Sequence, residues 1–176
     1  MARLAVYLDI LEAWSRRLNL TGARTPEDRV RVLVADVLPA LPLVLPGRLI
    51  DVGSGNGSPG LVYALLRDDL EATLLEPRHR RWAFLREAAR AAGRGGVDVR
   101  RQRHDTYVGA PARTVTLRAV VIPLAELAGL VAPGGRLVVL GGHPAAGGPF
   151  VATGEGTGVA GAVTVFRREA DVPRET

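Results

Sequence analysis

The chain has 176 residues, 47% apolar and 23% charged, with no cysteine and a formal charge of +5 in which every Lys-or-Arg position is arginine. One compact α/β domain fits this length and two full enzyme domains do not, so a single domain over 1–176 is expected. The missing cysteine excludes disulfides, thiolate metal sites and attack by a sulfur nucleophile. Arg, Asp, Glu, Pro or Gly interrupts every apolar run well before the roughly 20 residues of a membrane span, and the start lacks a signal-sequence pattern. A soluble, cytoplasmic and monomeric protein is expected.

Along the first twenty residues Tyr7, Leu11, Trp14 and Leu18 recur at helical spacing and form one apolar stripe. Thr25-Pro26-Glu27-Asp28 then reads as an N-cap, a proline at the first helical position and acids in the first turn, starting a second helix that runs toward Pro39. These segments make a helical prefix over 1–45 to a core at 46–176. In that core Leu49–Val52 is a buried strand stopped by glycines, Ser58-Pro59 caps a helix over Leu61–Leu66, and Ala72–Glu76 is a second strand. A helix follows from Arg78 to Ala92 with Trp82, Leu85, Ala89 and Ala92 inward. Strands are expected at Val97–Val99, Val115–Leu117 and Arg136–Leu140, with a helix over 124–131 before the last of them. Strands separated by single helices imply crossover units and a mainly parallel, Rossmann-like sheet. The final apolar run, Ala162–Phe166, is expected to end an antiparallel hairpin, the mark of the methyltransferase version of this fold.

Asp51-Val52-Gly53-Ser54-Gly55-Asn56-Gly57 joins the first core strand to its helix. Glycines there let a ligand lie against bare backbone, and the helix start can take a carboxylate. Gly55-Asn56-Gly57-Ser58-Pro59-Gly60 also satisfies the dinucleotide pattern G-x-G-x-x-G, so NAD is the rival ligand. An acid at 51 beside the loop would oppose a pyrophosphate but suit the ammonium and sulfonium of S-adenosylmethionine, which is therefore preferred. Glu76 ends the second strand, where a carboxylate can accept hydrogen bonds from both ribose hydroxyls of either ligand. Asp105, after the third strand, stands where such sheets often hold an adenine amino group, and His104 precedes it. His79 and His143 have no partners at metal-ligand spacing, and no metal is expected.

Taken together, the residues resemble the bacterial small-subunit ribosomal RNA guanine-N(7) methyltransferases, the RsmG or GidB family. The opening Tyr7, Leu11, Trp14 and Leu18-Asn19-Leu20-Thr21 is similar to the family's first helix, and the segment from Asp51 to Gly60 to its cofactor loop. Leu75-Glu76, Arg80-Arg81, Phe84-Leu85, Arg103-His104-Asp105, Arg118-Ala119 and Pro173-Arg174 match further family positions. The resemblance implies S-adenosylmethionine contacts from Gly53, Ser58, His104, Asp105 and Arg118, joining Asp51, Ser54, Gly55, Gly57 and Glu76 as the expected cofactor site. It also implies ribosomal RNA or the small subunit as partner; the arginines crowded from Arg78 to Arg103 could present a phosphate-binding face or a solvated one, and Arg78, Arg80, Arg81 and Arg118 are the expected RNA contacts. The sequence departs from the family at Leu33, Ser58, Arg113 and Gly141, positions expected around the substrate face.

Guanine N(7) already presents a lone pair with no proton to remove, so alignment and exclusion of water suffice and no catalytic base is required. No Asn/Asp-Pro-Pro-aromatic motif follows the fourth core strand, which argues against methylation of exocyclic amines. Rival readings are a small-molecule methyltransferase, an NAD-binding oxidoreductase and a non-catalytic RNA-binding relic. Arg118 is expected to matter more for methyl transfer than for folding.

Overall fold

The computed structural model describes residues 2–142, 146–153 and 163–169. The beginning of the run at Ala162, His143 and the Pro173-Arg174 pair lie outside them. Helix α1 (Ala2–Ser15) buries Tyr7 and Leu11 completely, as the stripe predicts, while Trp14 is partly exposed. Helix α2 (Pro26–Val30) starts as expected, with the Thr25 hydroxyl accepting from the Asp28 amide at 3.1 Å. It does not continue as one α-helix to Pro39. A π-helical turn (Arg31–Ala35) follows directly, then a 3-10 turn (Leu38–Leu43) that contains Pro39 and Pro42. A proline lacks the amide that an α-helix interior needs, so the chain tightens there instead.

The core alternates as anticipated: β1 (Gly47–Val52), α3 (Gly60–Leu66), β2 (Leu70–Leu75), α4 (His79–Ala91), β3 (Asp98–Arg100), β4 (Ala112–Arg118), β5 (Val131–Leu140), β6 (Phe150–Thr153) and β7 (Val163–Arg168). All seven strands form one sheet in the order β3-β2-β1-β4-β5-β7-β6. Neighbours from β3 to β5 are parallel, and β7 pairs antiparallel with both β5 and β6. Buried on both faces, β1 and β4 read as nearly continuous apolar or β-branched runs rather than alternating ones.

Two connections depart from expectation. The stretch over 124–131 is a 3-10 turn (Leu124–Leu130), and between β3 and β4 the chain makes only a short 3-10 turn (His104–Thr106). Seven residues that begin after Pro123 and spend Leu124, Leu127 and Leu130 on one face satisfy a three-residue period as well as an α-helical one.

Helix α4 buries more than the stripe suggests. Leu85, Ala89 and Ala92 face inward, and so do Phe84 and Ala88, because α1 packs across its outer side. Phe84 sits 6.5 Å from Tyr7 and 6.0 Å from Trp14, ring centre to ring centre, the latter edge-on. Trp82 is only partly buried and donates its indole N–H to the Val99 carbonyl at 3.0 Å. Leu4, Tyr7 and Leu11 share one apolar cluster with α3, α4 and β2, so the prefix covers one face of the sheet.

Candidate cofactor and substrate site

A cavity of about 760 Å³ opens at the carboxyl ends of β1, β2 and β4, the place where doubly wound sheets bind ligands. Its floor is the turn after β1. The amides of Gly53 and Ser54 both donate to the Leu75 carbonyl, at 2.9 and 3.1 Å, and bend the chain across the tip of β2. Gly53 and Gly55 line the cavity with positive φ (70° and 51°), a conformation that glycine adopts without strain. A Cβ on Gly53 would stand 2.8 Å from a Val120 methyl, so the missing side chain admits the loop after β4. Gly57 plays a different part from the one the spacing suggests: it does not line the cavity, and its backbone packs against Leu61 and Leu85.

Asp51 also lies elsewhere than expected. It is 1% exposed and sits beneath the loop, with one carboxylate oxygen accepting from the Thr116 hydroxyl at 2.6 Å. Its Oδ2 has no hydrogen-bond partner and lies against Gly60, where a Cβ would come within 2.3 Å of the Asp51 Cβ. Burial pushes the carboxyl up to about 6, against the pull of Thr116, Ser54, the Gly60 backbone and the Arg118 charge. The side chain does not reach the cavity wall. The electrostatic preference for a cationic ligand, drawn from an acid facing the loop, is therefore corrected: Asp51 shapes the loop from below.

Glu76, 3% exposed, sits at the tip of β2 on the cavity wall. Its oxygens accept from the Gly55 amide at 3.0 Å and the Arg78 amide at 2.8 Å. Those bonds fix the carboxylate and leave lone pairs for a ligand's hydroxyls. Ser54, Ser58 and His104 also line the cavity, and His104 Nε2 lies 3.1 Å from the Glu126 carboxylate. Asp105 does not join them: it points outward into an ion pair with Arg103 that holds its carboxyl below the ordinary range.

Arg118 lines the cavity, and both its terminal nitrogens already donate within the protein. One Nη donates to Ser58 Oγ and the other to the Val32 carbonyl, each at 2.8 Å. Ser58 Oγ in turn donates to the Leu33 carbonyl at 2.7 Å, so Ser58 ties the glycine loop to the π-helical turn and does not cap α3 with its side chain. Of the other expected RNA contacts, Arg78 and Arg81 line the cavity while Arg80 is exposed outside it. Among the positions expected around the substrate face, Leu33 and Ser58 line the cavity. Arg113 does not: it lies near the amino end of β4 and donates to the Pro46 carbonyl at 3.3 Å.

The prefix contributes more than its stripe announced. Leu20, Thr21 and Gly22 form part of the wall. The Tyr7 hydroxyl donates to the Asn56 carbonyl at 2.9 Å, and the Asn56 amide donates to the Leu20 carbonyl at 3.1 Å. The Asn19-Leu20-Thr21 segment, which lies beyond the end of α1, was the available signal, though it carried no position relative to the loop.

The residues fit an adenosine-bearing amino-acid ligand: bare backbone at Gly53 and Gly55, a fixed carboxylate at the tip of β2, and a cavity within the usual ~300–1,000 Å³. With β7 inserted antiparallel between β5 and β6, the sheet and its site define a Rossmann-like methyltransferase fold. The same fold occurs in an RNA methyltransferase from Salinibacter ruber in complex with S-adenosyl-L-homocysteine (20% identity, TM-score 0.54, covering 73% of this chain and 84% of that one). It occurs too in the Escherichia coli protein yhhF (20% identity, TM-score 0.62, covering 86% and 90%).

The family described as GidB, rRNA small subunit methyltransferase G, matches residues 1–146, and the chain belongs to it. Relatives named ribosomal RNA small subunit methyltransferase G come from Halorhodospira halophila (39% identical over 147 residues, 81% of this chain and 70% of the relative) and Neisseria gonorrhoeae (37% over 145 residues, 82% and 68%). One from Xanthomonas campestris is 37% identical over 141 residues, 80% of this chain and 65% of the relative. The chain thus spans about two thirds of the length of the curated relatives it matches. The cofactor of the family is S-adenosylmethionine, in keeping with the site.

Proposed function

We propose that the chain methylates N(7) of a guanine in 16S ribosomal RNA of the small subunit. Membership of the family over residues 1–146 carries this reading, and the cavity at the carboxyl ends of β1, β2 and β4 supports it. S-adenosylmethionine, when bound, supplies an electrophilic methyl on a sulfonium. Glu76 would accept from its ribose hydroxyls, the Gly53, Ser54 and Gly55 backbone would hold its amino-acid part, and His104 would face its adenine. Val52, Leu75, Val120 and Ile122 on the walls would exclude water from the bound group. Guanine N(7) would accept that methyl through its own lone pair, so no side chain here has to move a proton. Holding the two partners aligned is the whole demand on the protein. Arg78, Arg80 and Arg81 meet RNA phosphates, and Arg118 holds the wall rather than the ligand.

The test uses small subunits from a strain deleted for this gene, incubated with the protein and a methyl-labelled donor. Label should enter 16S RNA and give one new site of borohydride-and-aniline cleavage, the signature of N(7)-methylguanine. Tight binding of S-adenosylhomocysteine without any label in the RNA would instead point to a small-molecule acceptor.

A further inference from the structure

The loop between β4 and the Leu124–Leu130 turn carries Val121, whose side chain is fully exposed at 101%. Its neighbours are anchored. Val120 covers Gly53, where a Cβ would meet it at 2.8 Å, and both Val120 and Ile122 pack against the second apolar cluster. Ala119 takes a left-handed φ of 54°, a conformation that is strained for a residue with a side chain and persists only where the surroundings enforce it. Leu124 and Leu127, both buried, hold the far end. Val121 is therefore an apolar side chain projected from a fixed loop.

Val121 also stands on the cavity wall, together with Arg78 and Arg81, which form no ion pair among the described residues. The His104–Glu126 contact at 3.1 Å joins the turn after β3 to the Leu124–Leu130 turn. Folding gains nothing from an exposed valine there, and a methyl donor held by Gly53, Gly55 and Glu76 would not need it. A ligand that satisfies both the arginines and the valine is polyanionic and has flat apolar faces. An unstacked nucleotide has both properties. We propose that Val121 packs against the face of the base to be methylated once that base leaves its stack and enters the cavity, so that residue 121 contacts RNA and not the cofactor. This rests on the RNA reading above.

Because the chain has no cysteine, V121C introduces a unique thiol. A thiol-linked photo-crosslinker on V121C, irradiated with assembled small subunits, should join 16S RNA at or beside the methylated guanine. The same probe on V108C, at a valine that is 88% exposed and away from the cavity, should not. In parallel, Val121→Asp should lower kcat/KM on subunits by at least about tenfold, with S-adenosylhomocysteine affinity and melting temperature unchanged. Crosslinking to a ribosomal protein, or wild-type kcat/KM in V121D, overturns the base contact while leaving the proposed function standing. If the wild-type chain transfers no methyl to subunits at all, the RNA reading fails and takes this inference with it.

Discussion

Asp51 is an acid kept where water cannot reach it. Its carboxyl rises from 3.8 to about 6 through burial, the opposing hydrogen bonds and the Arg118 charge offsetting only part of the cost. The folded chain therefore binds this proton more tightly than the unfolded chain does. Stability from this group is fully present below 3.8 and falls as pH rises toward about 6, after which the loss is constant. Two pKa units correspond to about 3 kcal/mol. Asp51→Asn keeps an acceptor for Thr116 and cannot ionise. The melting temperature of the variant relative to wild type should climb between those two pH values and level off above them; parallel melting curves at every pH would mean that Asp51 stays protonated or solvated. The spacing of the glycine loop made this residue conspicuous in the sequence. Which side of the loop it faces was not legible, since that depends on Thr116, 65 positions away, and on the bare backbone of Gly60.

Arg118 ties β4 to the glycine loop through Ser58 and to the π-helical turn through the Val32 carbonyl. Hydrogen bonds from a charged donor contribute about 1.5–3 kcal/mol each. Arg118→Ala should thus lower thermal stability by a few kcal/mol as well as cut methyl transfer by at least about tenfold, whereas its sequence context suggested an effect on transfer with little on folding. Calorimetric melts beside single-turnover rates separate the two, and a variant that melts like wild type would show that the clamp contributes nothing. At this scale most of the core was readable. The glycine stop after β1, the acid ending β2 and the period of α4 place their elements within a residue or two. What escaped were the π-helical and 3-10 pieces at Arg31–Ala35, Leu38–Leu43 and Leu124–Leu130, where tertiary packing and prolines override a short periodic pattern. Arg118 itself was found by resemblance, and its partners in the prefix could not be, because nothing local links position 32 to position 118.

Over the whole molecule the arginines divide. Arg94, Arg100 and Arg103 are paired with Asp68, Asp98 and Asp105, which removes part of the basic stretch from any binding surface. Among the described residues, Arg78, Arg80 and Arg81 form no ion pair, and they stand on or beside the cavity. Each phosphate contact releases counterions, so log Kd for 16S RNA should depend steeply on log salt. The combined variant R78A/R80A/R81A should reduce that slope by about 2–3; an unchanged slope would assign the RNA contacts to other arginines. The sheet has a further consequence for the chain in a crowded solution. Its flanking strands are β3, three residues that include Asp98 and Arg100, and β6, four residues. A border as short as β3, charged at two of its three residues, gives an incoming strand almost no backbone to pair with. Folded copies are thereby discouraged from extending the sheet at β3, and the interior strands β1 and β5, each paired on both sides, become available as templates only after the chain unfolds.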